Sequence, residues 1–491
     1  MLPARRALAL GVLLAAGGAR AVLGAPLLTL TPCEIEHPLR LTVIAAECGV
    51  LRVPENPAAP GGRQIGLHIA RVAAISRRKQ PDPLFVLAGG PGAAASGFYA
   101  SVAPAFARIQ RDRDIVLLDQ RGTGGSNALD CPEPADRATP TSLSEISAAT
   151  AACLQALAAR AEVAYYTTSL AVQDLERVRA ALGLGRINLY GASYGTRVAL
   201  HYLRRFPANT RSVILDGVVP VSRPMGAATA LDAESALEDI LRRCADDAAC
   251  RARFGDPRAD YRAVRAELAG GRTVAVSVGD PLSGSPRRLA FTDESLASVL
   301  RLTSYAAEYA ALLPLLLHAG ARQDYAPLAA QYLMVERSYA EALATGMHNS
   351  VACAEDVPLF AQLHIDRARL AATYLGTRQL EGLEAVCRLW PRGPVDEDLR
   401  APLRSEVPAL LLSGSDDPAT PPQYAHEAAR SFAQHLDVVL EGFGHGQLTA
   451  PCVDRIMAQF IARASVAALD ASCVRAARPL GFFTSLNGPP P

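Results

Sequence analysis

Short apolar runs and amphipathic stretches alternate along most of this chain. Two or three β-like runs fall between residues 40 and 75, one of them at 66–72. Residues 84–88 and 114–118 are nearly unbroken apolar runs bounded by turn residues, the pattern of strands buried on both faces. Residues 169–183 space their apolar positions three and four apart and stop at Gly183, which predicts an amphipathic helix. A strand at 186–190, a helix at 196–206 closed by Pro207 and a strand at 211–215 continue the series. The texture then changes. Residues 225–400 are mostly helix-like and rich in Ala and Leu, as at 234–243 and 296–302, with one β-like break at 273–277. Alternation resumes with a strand at 407–412, a helix at 422–434, a strand at 437–440 and a last helix at 453–463. The pattern predicts an α/β fold, a mostly parallel sheet with helices on both faces, interrupted by a large helical cap over the C-terminal ends of the strands. The expected organisation is a core in two parts, residues 26–220 and 401–475, a cap over 221–400 and an irregular tail over 476–491.

At 491 residues the chain can bury a full α/β core and a second substantial module. A formal net charge of +1 gives no reason to expect nucleic acid or an anionic surface as partner. Arg5 and Arg6 precede an apolar stretch at 7–16 and then small residues, which predicts a cleavable signal peptide over residues 1–25, cut after Ala21 or near Ala25. The stretch is too short to span a bilayer comfortably, so no stable membrane association is expected after cleavage. Ten cysteines behind such a segment favour disulfides in an oxidising compartment, periplasmic or extracellular. Sequence leaves connectivity open. Pairing of neighbours is the simplest proposal: Cys33 with Cys48, Cys131 with Cys153, Cys244 with Cys250, Cys353 with Cys387, and Cys452 with Cys473.

The most informative local motif is Gly191-Ala192-Ser193-Tyr194-Gly195, between the strand at 186–190 and the helix at 196–206. A serine on a tight strand-to-helix turn is the nucleophile elbow of α/β-hydrolases, where flanking glycines relieve crowding. A serine hydroxyl needs a base, and the base needs an orienting acid. In this fold they follow in the order Ser, Asp or Glu, His. The strand at 407–412 leads into Gly414-Ser415-Asp416-Asp417-Pro418, and the spacing favours Asp417 over Asp416 as the acid. The last strand leads into Gly444-His445-Gly446, which makes His445 the base, whereas His426 and His435 read as packing or surface residues. Acyl transfer also needs donors aimed at the developing oxyanion. The backbone N–H groups of Tyr194 and of Gly90, in Gly89-Gly90-Pro91-Gly92 after the strand at 84–88, are the candidates.

Together, Ala88-Gly-Gly-Pro-Gly92, Asp119-Gln-Arg-Gly-Thr-Gly-Gly-Ser126, the elbow, Asp417-Pro-Ala-Thr-Pro421 and Gly444-His445-Gly446 resemble the proline iminopeptidase family of α/β-hydrolase peptidases. The likeness is greatest to its secreted tripeptidyl aminopeptidase branch and covers roughly residues 40–475. Ala88 departs from the family, where histidine is common. So does Thr196, where a second glycine is common, a change expected to affect helix packing only. The resemblance implies exopeptidase action on peptides with a free N-terminus, which requires an anion to hold the substrate ammonium. Glu355, with Asp356 beside it late in the cap, is the candidate, anchored if Cys353 bonds Cys387. Asp119 and Arg121 are expected to pair with each other or to brace the loop, and Trp390 to pack in the core. A carboxylic-ester hydrolase on the same scaffold stays open as the alternative, as does a catalytically dead binding protein, which the intact Ser-Asp-His set disfavours. No cofactor is expected, and the scattered histidines show no metal-ligand spacing.

Overall fold

The structure is a computed structural model that describes residues 28–132, 142–280 and 283–489, without the side chains of 339–341. The signal segment expected at 1–25 lies outside the described residues. Nine strands form one sheet. In chain order they are β1 (Thr31–Glu36), β2 (Val43–Pro54), β3 (Gln64–Val72), β4 (Leu84–Leu87), β5 (Ile115–Leu118), β6 (Ile187–Ala192), β7 (Thr210–Asp216) and, after a separate hairpin of β8 (Val274–Gly279) and β9 (Pro286–Phe291), β10 (Ala409–Gly414) and β11 (His435–Leu440). Their spatial order is β1-β2-β3-β5-β4-β6-β7-β10-β11. The strands from β5 to β11 run parallel, and β1, β2 and β3 join antiparallel at one edge.

The apolar runs become the centre of this sheet for a simple reason. β4, β5, β6 and β10 are buried at every position because helices cover both faces, leaving no side for polar residues. One face packs on the helices Thr168–Ala181 and Tyr194–Arg205, the other on Ala95–Val102 and Val453–Arg463. The stretch between β7 and β10 builds its own apolar cluster from helices including Thr229–Asp246, Pro257–Leu268 and Asp293–Thr303.

Three elements differ from the pattern reading, the first being β1, which lies ahead of the β-like runs expected from residue 40. Pro286–Phe291 pairs antiparallel with β8, although its first three residues are exposed and it carries no apolar run to reveal it. The helix at 422 ends at Ala429 rather than 434, because Phe432 bridges to Ser405 as the chain turns into β11. Five disulfides join Cys33–Cys48, Cys131–Cys153, Cys244–Cys250, Cys353–Cys387 and Cys452–Cys473. No helix among the described residues is long and apolar enough to cross a membrane.

Candidate active site

β6 runs straight into Ser193, whose backbone is forced to φ +54° before the helix Tyr194–Arg205 begins. Close packing makes both flanking glycines necessary: a Cβ on Gly191 would strike the carbonyl of Gly195, and one on Gly195 the carbonyl of Leu87. The loop after β4 lies against the same turn, since a Cβ on Gly89 would stand 3.6 Å from Ser193 Oγ. Gly90, at φ +108°, lines the cavity in front of Ser193. The amides of Gly90 and Tyr194 donate to no described residue, and Tyr194 also begins a helix, whose N-terminus favours negative charge. The Tyr194 ring points inward, its hydroxyl 2.8 Å from Thr168 Oγ1 and accepting from Gln120.

The turn after β10 presents Asp417, and the loop after β11 presents His445. Asp417 Oδ2 lies 2.8 Å from His445 Nδ1 and also accepts from Thr420 Oγ1, while Oδ1 accepts from the amides of Ala419 and Thr420. Burial by itself would raise this carboxyl, but the His445 charge and these hydrogen bonds outweigh it and hold Asp417 below the usual range. Burial likewise opposes a charged imidazole, yet the charges of Asp417 and Asp216 and the Asp417 bond raise His445 above its ordinary 6.5. His445 is held from the cap side as well: its amide donates to the Tyr305 carbonyl at 2.6 Å, and the two rings meet edge to face. Asp416 turns away to pair with Arg243 at 2.7 Å. His426 faces Asp437 at 3.3 Å, and His435 bonds the Phe432 carbonyl.

Ser193, His445 and Gly90 share a cavity of about 1080 Å³ between the strand tips and the cap. Its wall is largely apolar and includes Phe98, Leu343, Leu383 and Tyr309, with Asp232, Asp216 and Glu308 as carboxylates. Ser193 Oγ bonds to no described side chain and faces this space. Catalytic hydrogen bonds are often loose without substrate and tighten when it binds.

Glu355 and Asp356 are not in that wall. They lie on a single π-helical turn, Ala352–Asp356, and point into the interior behind the elbow. Asp356 takes a two-pronged bond from Arg197 at 3.0 and 2.8 Å and another from Arg400 at 2.7 Å. Glu355 accepts from the Thr168 amide and hydroxyl and lies 3.4 Å from Arg197. Both carboxylates are thus already matched by guanidinium and backbone donors, and neither is open to a substrate ammonium. They pin the cap to the elbow helix instead. Asp119 and Arg121 do not pair with each other either. Asp119 accepts from Ser96, Gly125 and His68, and Arg121 grips Asp174 with both prongs. Trp390 is buried and donates to Ser350 Oγ.

Thr196 has a larger part than helix packing. Its hydroxyl donates to the Ser193 carbonyl at 2.6 Å and accepts from the Val219 amide, stitching the elbow to the segment after β7. Two further carboxylates escaped the sequence reading. Asp232, on the cap helix Thr229–Asp246, accepts from Tyr424 at 2.6 Å, and its burial pushes the carboxyl up to about 6. Asp216, at the tip of β7, stands between the strands that carry Ser193 and Asp417. The strand-tip position that flagged Asp417 could have flagged Asp216 too. Among the described residues one group has metal-ligand spacing, His201 with Asp396 and Asp398; it lies outside the cavity, and Arg205 already pairs with both carboxylates.

Comparison with known proteins agrees with this architecture. Residues 82–243 match a family model described as the alpha/beta hydrolase fold, and residues 372–473 match one described as TAP-like protein. The chain has the α/β-hydrolase fold, and its C-terminal part is similar to the TAP-like family. It is 25% identical over 496 residues, 90% of each chain, to the serine protease Hip1 of Mycobacterium tuberculosis. It is 32% identical to the tripeptidyl aminopeptidase of Streptomyces lividans over 193 residues, 36% of each chain. A carboxylesterase B of Mycobacterium tuberculosis is 27% identical over 82% of this chain and 80% of its own.

Proposed function

We propose that this chain is an exported serine exopeptidase that hydrolyses peptide bonds near the free N-terminus of its substrates. The observation that carries the reading is the convergence of Ser193, the His445–Asp417 pair and the half-buried carboxylate of Asp232 on one cavity. An ionised Asp417 only accepts, so His445 holds its proton on Nδ1 and offers Nε2 as base. Ser193 Oγ attacks the scissile carbonyl carbon while Nε2 takes its proton. The amides of Gly90 and Tyr194 stabilise the tetrahedral oxyanion. Collapse breaks the C–N bond, the imidazolium returns the proton to the departing amine, and an acyl-enzyme remains. Water, deprotonated by the same imidazole, then attacks the acyl carbon, and the imidazolium returns that proton to Ser193 Oγ as the acyl C–O bond breaks and the acid product leaves.

Asp232 supplies the anion for the substrate ammonium. An ammonium entering a largely apolar cavity leaves water behind and needs a carboxylate at a set distance from the nucleophile. The names of two relatives, a serine protease and a tripeptidyl aminopeptidase, support peptides as the substrate class. Five disulfides fit an oxidising compartment outside the cytoplasm. The carboxylesterase relative supports the second reading, ester hydrolysis at the same serine.

Aminoacyl and tripeptidyl arylamides, each with a free and an acetylated N-terminus, separate the two. Only the free series is expected to be cleaved, and Ser193→Ala should abolish both turnover and labelling by a fluorophosphonate. Equal rates on acetylated and free substrates would overturn the exopeptidase reading.

A further inference from the structure

The two halves of the relay stand on strands that are not neighbours. Ser193 follows β6, His445 follows β11, and β7 and β10 lie between them. Adjacent strands are about 4.8 Å apart, so the histidine loop must reach back over roughly 14 Å of sheet, crossing the tip of β7. Asp216 is the last residue of β7 and is completely buried. Its carbonyl accepts from the Ser193 amide at 2.8 Å. Its carboxylate accepts from the Gln447 amide, two residues beyond His445, at 3.0 and 2.9 Å, and from the Tyr190 hydroxyl at 2.7 Å. The next residue lies close against the base, since a Cβ on Gly217 would stand 2.9 Å from His445 Cε1.

We propose that Asp216 is a positioning residue for the serine relay, clamping the nucleophile turn through its main chain and the histidine loop through its carboxylate. The inference rests on the reading of Ser193 and His445 as nucleophile and base. The groups facing Asp216 are the Tyr190 hydroxyl from β6, the His445 imidazole and Gln447 amide from the loop after β11, and Asp417 from the turn after β10. Burial keeps the carboxyl at about 6 against the pull of the Gln447 amide, Tyr190 and His445, with Asp417 adding to the rise. Asp216 is therefore ionised at neutral pH, and its charge is among those that raise the imidazole.

The test is the rate of fluorophosphonate labelling against pH in wild type, Asp216→Asn and Asp216→Ala, with folded fraction followed by circular dichroism. Asp216→Asn keeps the shape and an acceptor but removes the charge. Its acidic limb should move to lower pH, with a plateau rate within about tenfold of wild type. Asp216→Ala releases the loop, and its folded protein should label about 10–100-fold more slowly, the scale of cost for a misplaced reacting group. Wild type that does not label at Ser193 would remove the underlying reading. Wild type that labels while the Asn variant keeps the same limb, and the folded Ala variant the same rate, would overturn this inference alone. If Asp216→Ala does not fold, the limb of Asp216→Asn decides.

Discussion

His445 has one nitrogen committed to Asp417 and another that bonds to no described residue, and the reason is the residue it faces. The two backbone amides and the threonine hydroxyl on Asp417 leave its Oδ2 aligned on Nδ1 even without substrate. Replacing Asp417 with Asn puts a donor where the imidazole needs an acceptor and stabilises the wrong tautomer. Turnover should fall by about 10⁴, with KM little changed. Steady-state kinetics on a free-amine arylamide checks this. The base must also be neutral to act. Because His445 is raised above 6.5, the acidic limb of kcat/KM should have its midpoint above that value. Asp232 makes a separate demand. Its carboxyl is pushed up to about 6, so as pH falls through 6 it protonates and loses its attraction for an ammonium. KM for free-amine substrates should then rise. Asp232→Asn should raise KM roughly 10–150-fold at neutral pH, the value of about 1.5–3 kcal/mol for a hydrogen bond to a charged group. An unchanged KM in that variant would remove Asp232 from substrate binding.

Elements decide which of these residues could be read in advance. Ser193, Asp417 and His445 each follow a strand whose apolar run is visible, and each sits in a local motif, so position and chemistry coincided. Asp216 has the same strand-tip position but no motif, and its partner Gln447 is far along the chain. Asp232 is one polar residue on an amphipathic cap helix and looks like any solvated position. Glu355 and Asp356 misled for a related reason. An acidic pair beside a cysteine reads identically whether it faces a cavity or a buried arginine, and Arg197 is on the elbow helix, a different element altogether. The distinction is measurable. Arg197→Met leaves two buried carboxylates under-compensated and should cost about 3–5 kcal/mol of stability in denaturant unfolding. Glu355→Gln should lower stability while leaving the preference for free over acetylated substrates intact. Loss of that preference would return Glu355 to the substrate site.

On the scale of the whole molecule the cap has to hold one wall of the cavity at a fixed distance from the strand tips. The Cys353–Cys387 bridge joins the π-helical turn Ala352–Asp356 to the helix Arg378–Leu389, and Ala352, Leu383 and Val386 from these two elements all line the cavity. The Cys33–Cys48 bridge instead ties β1 to β2 at the outer edge of the sheet, remote from the cap. Sequence separations of 34 and 15 residues predict similar stabilisation, about 3–4 kcal/mol each, by restricting the unfolded chain. The two bridges should nevertheless differ in function. Replacing both cysteines by serine in either pair should lower the midpoint of thermal unfolding by a comparable amount. Only the Cys353/Cys387 variant should also show a raised KM, because its cavity wall loses a cross-link, while fluorophosphonate labelling of the folded protein persists in both. Equal KM values in the two variants would mean that the cap wall is set by packing and the Arg197 ion cluster without help from the disulfide.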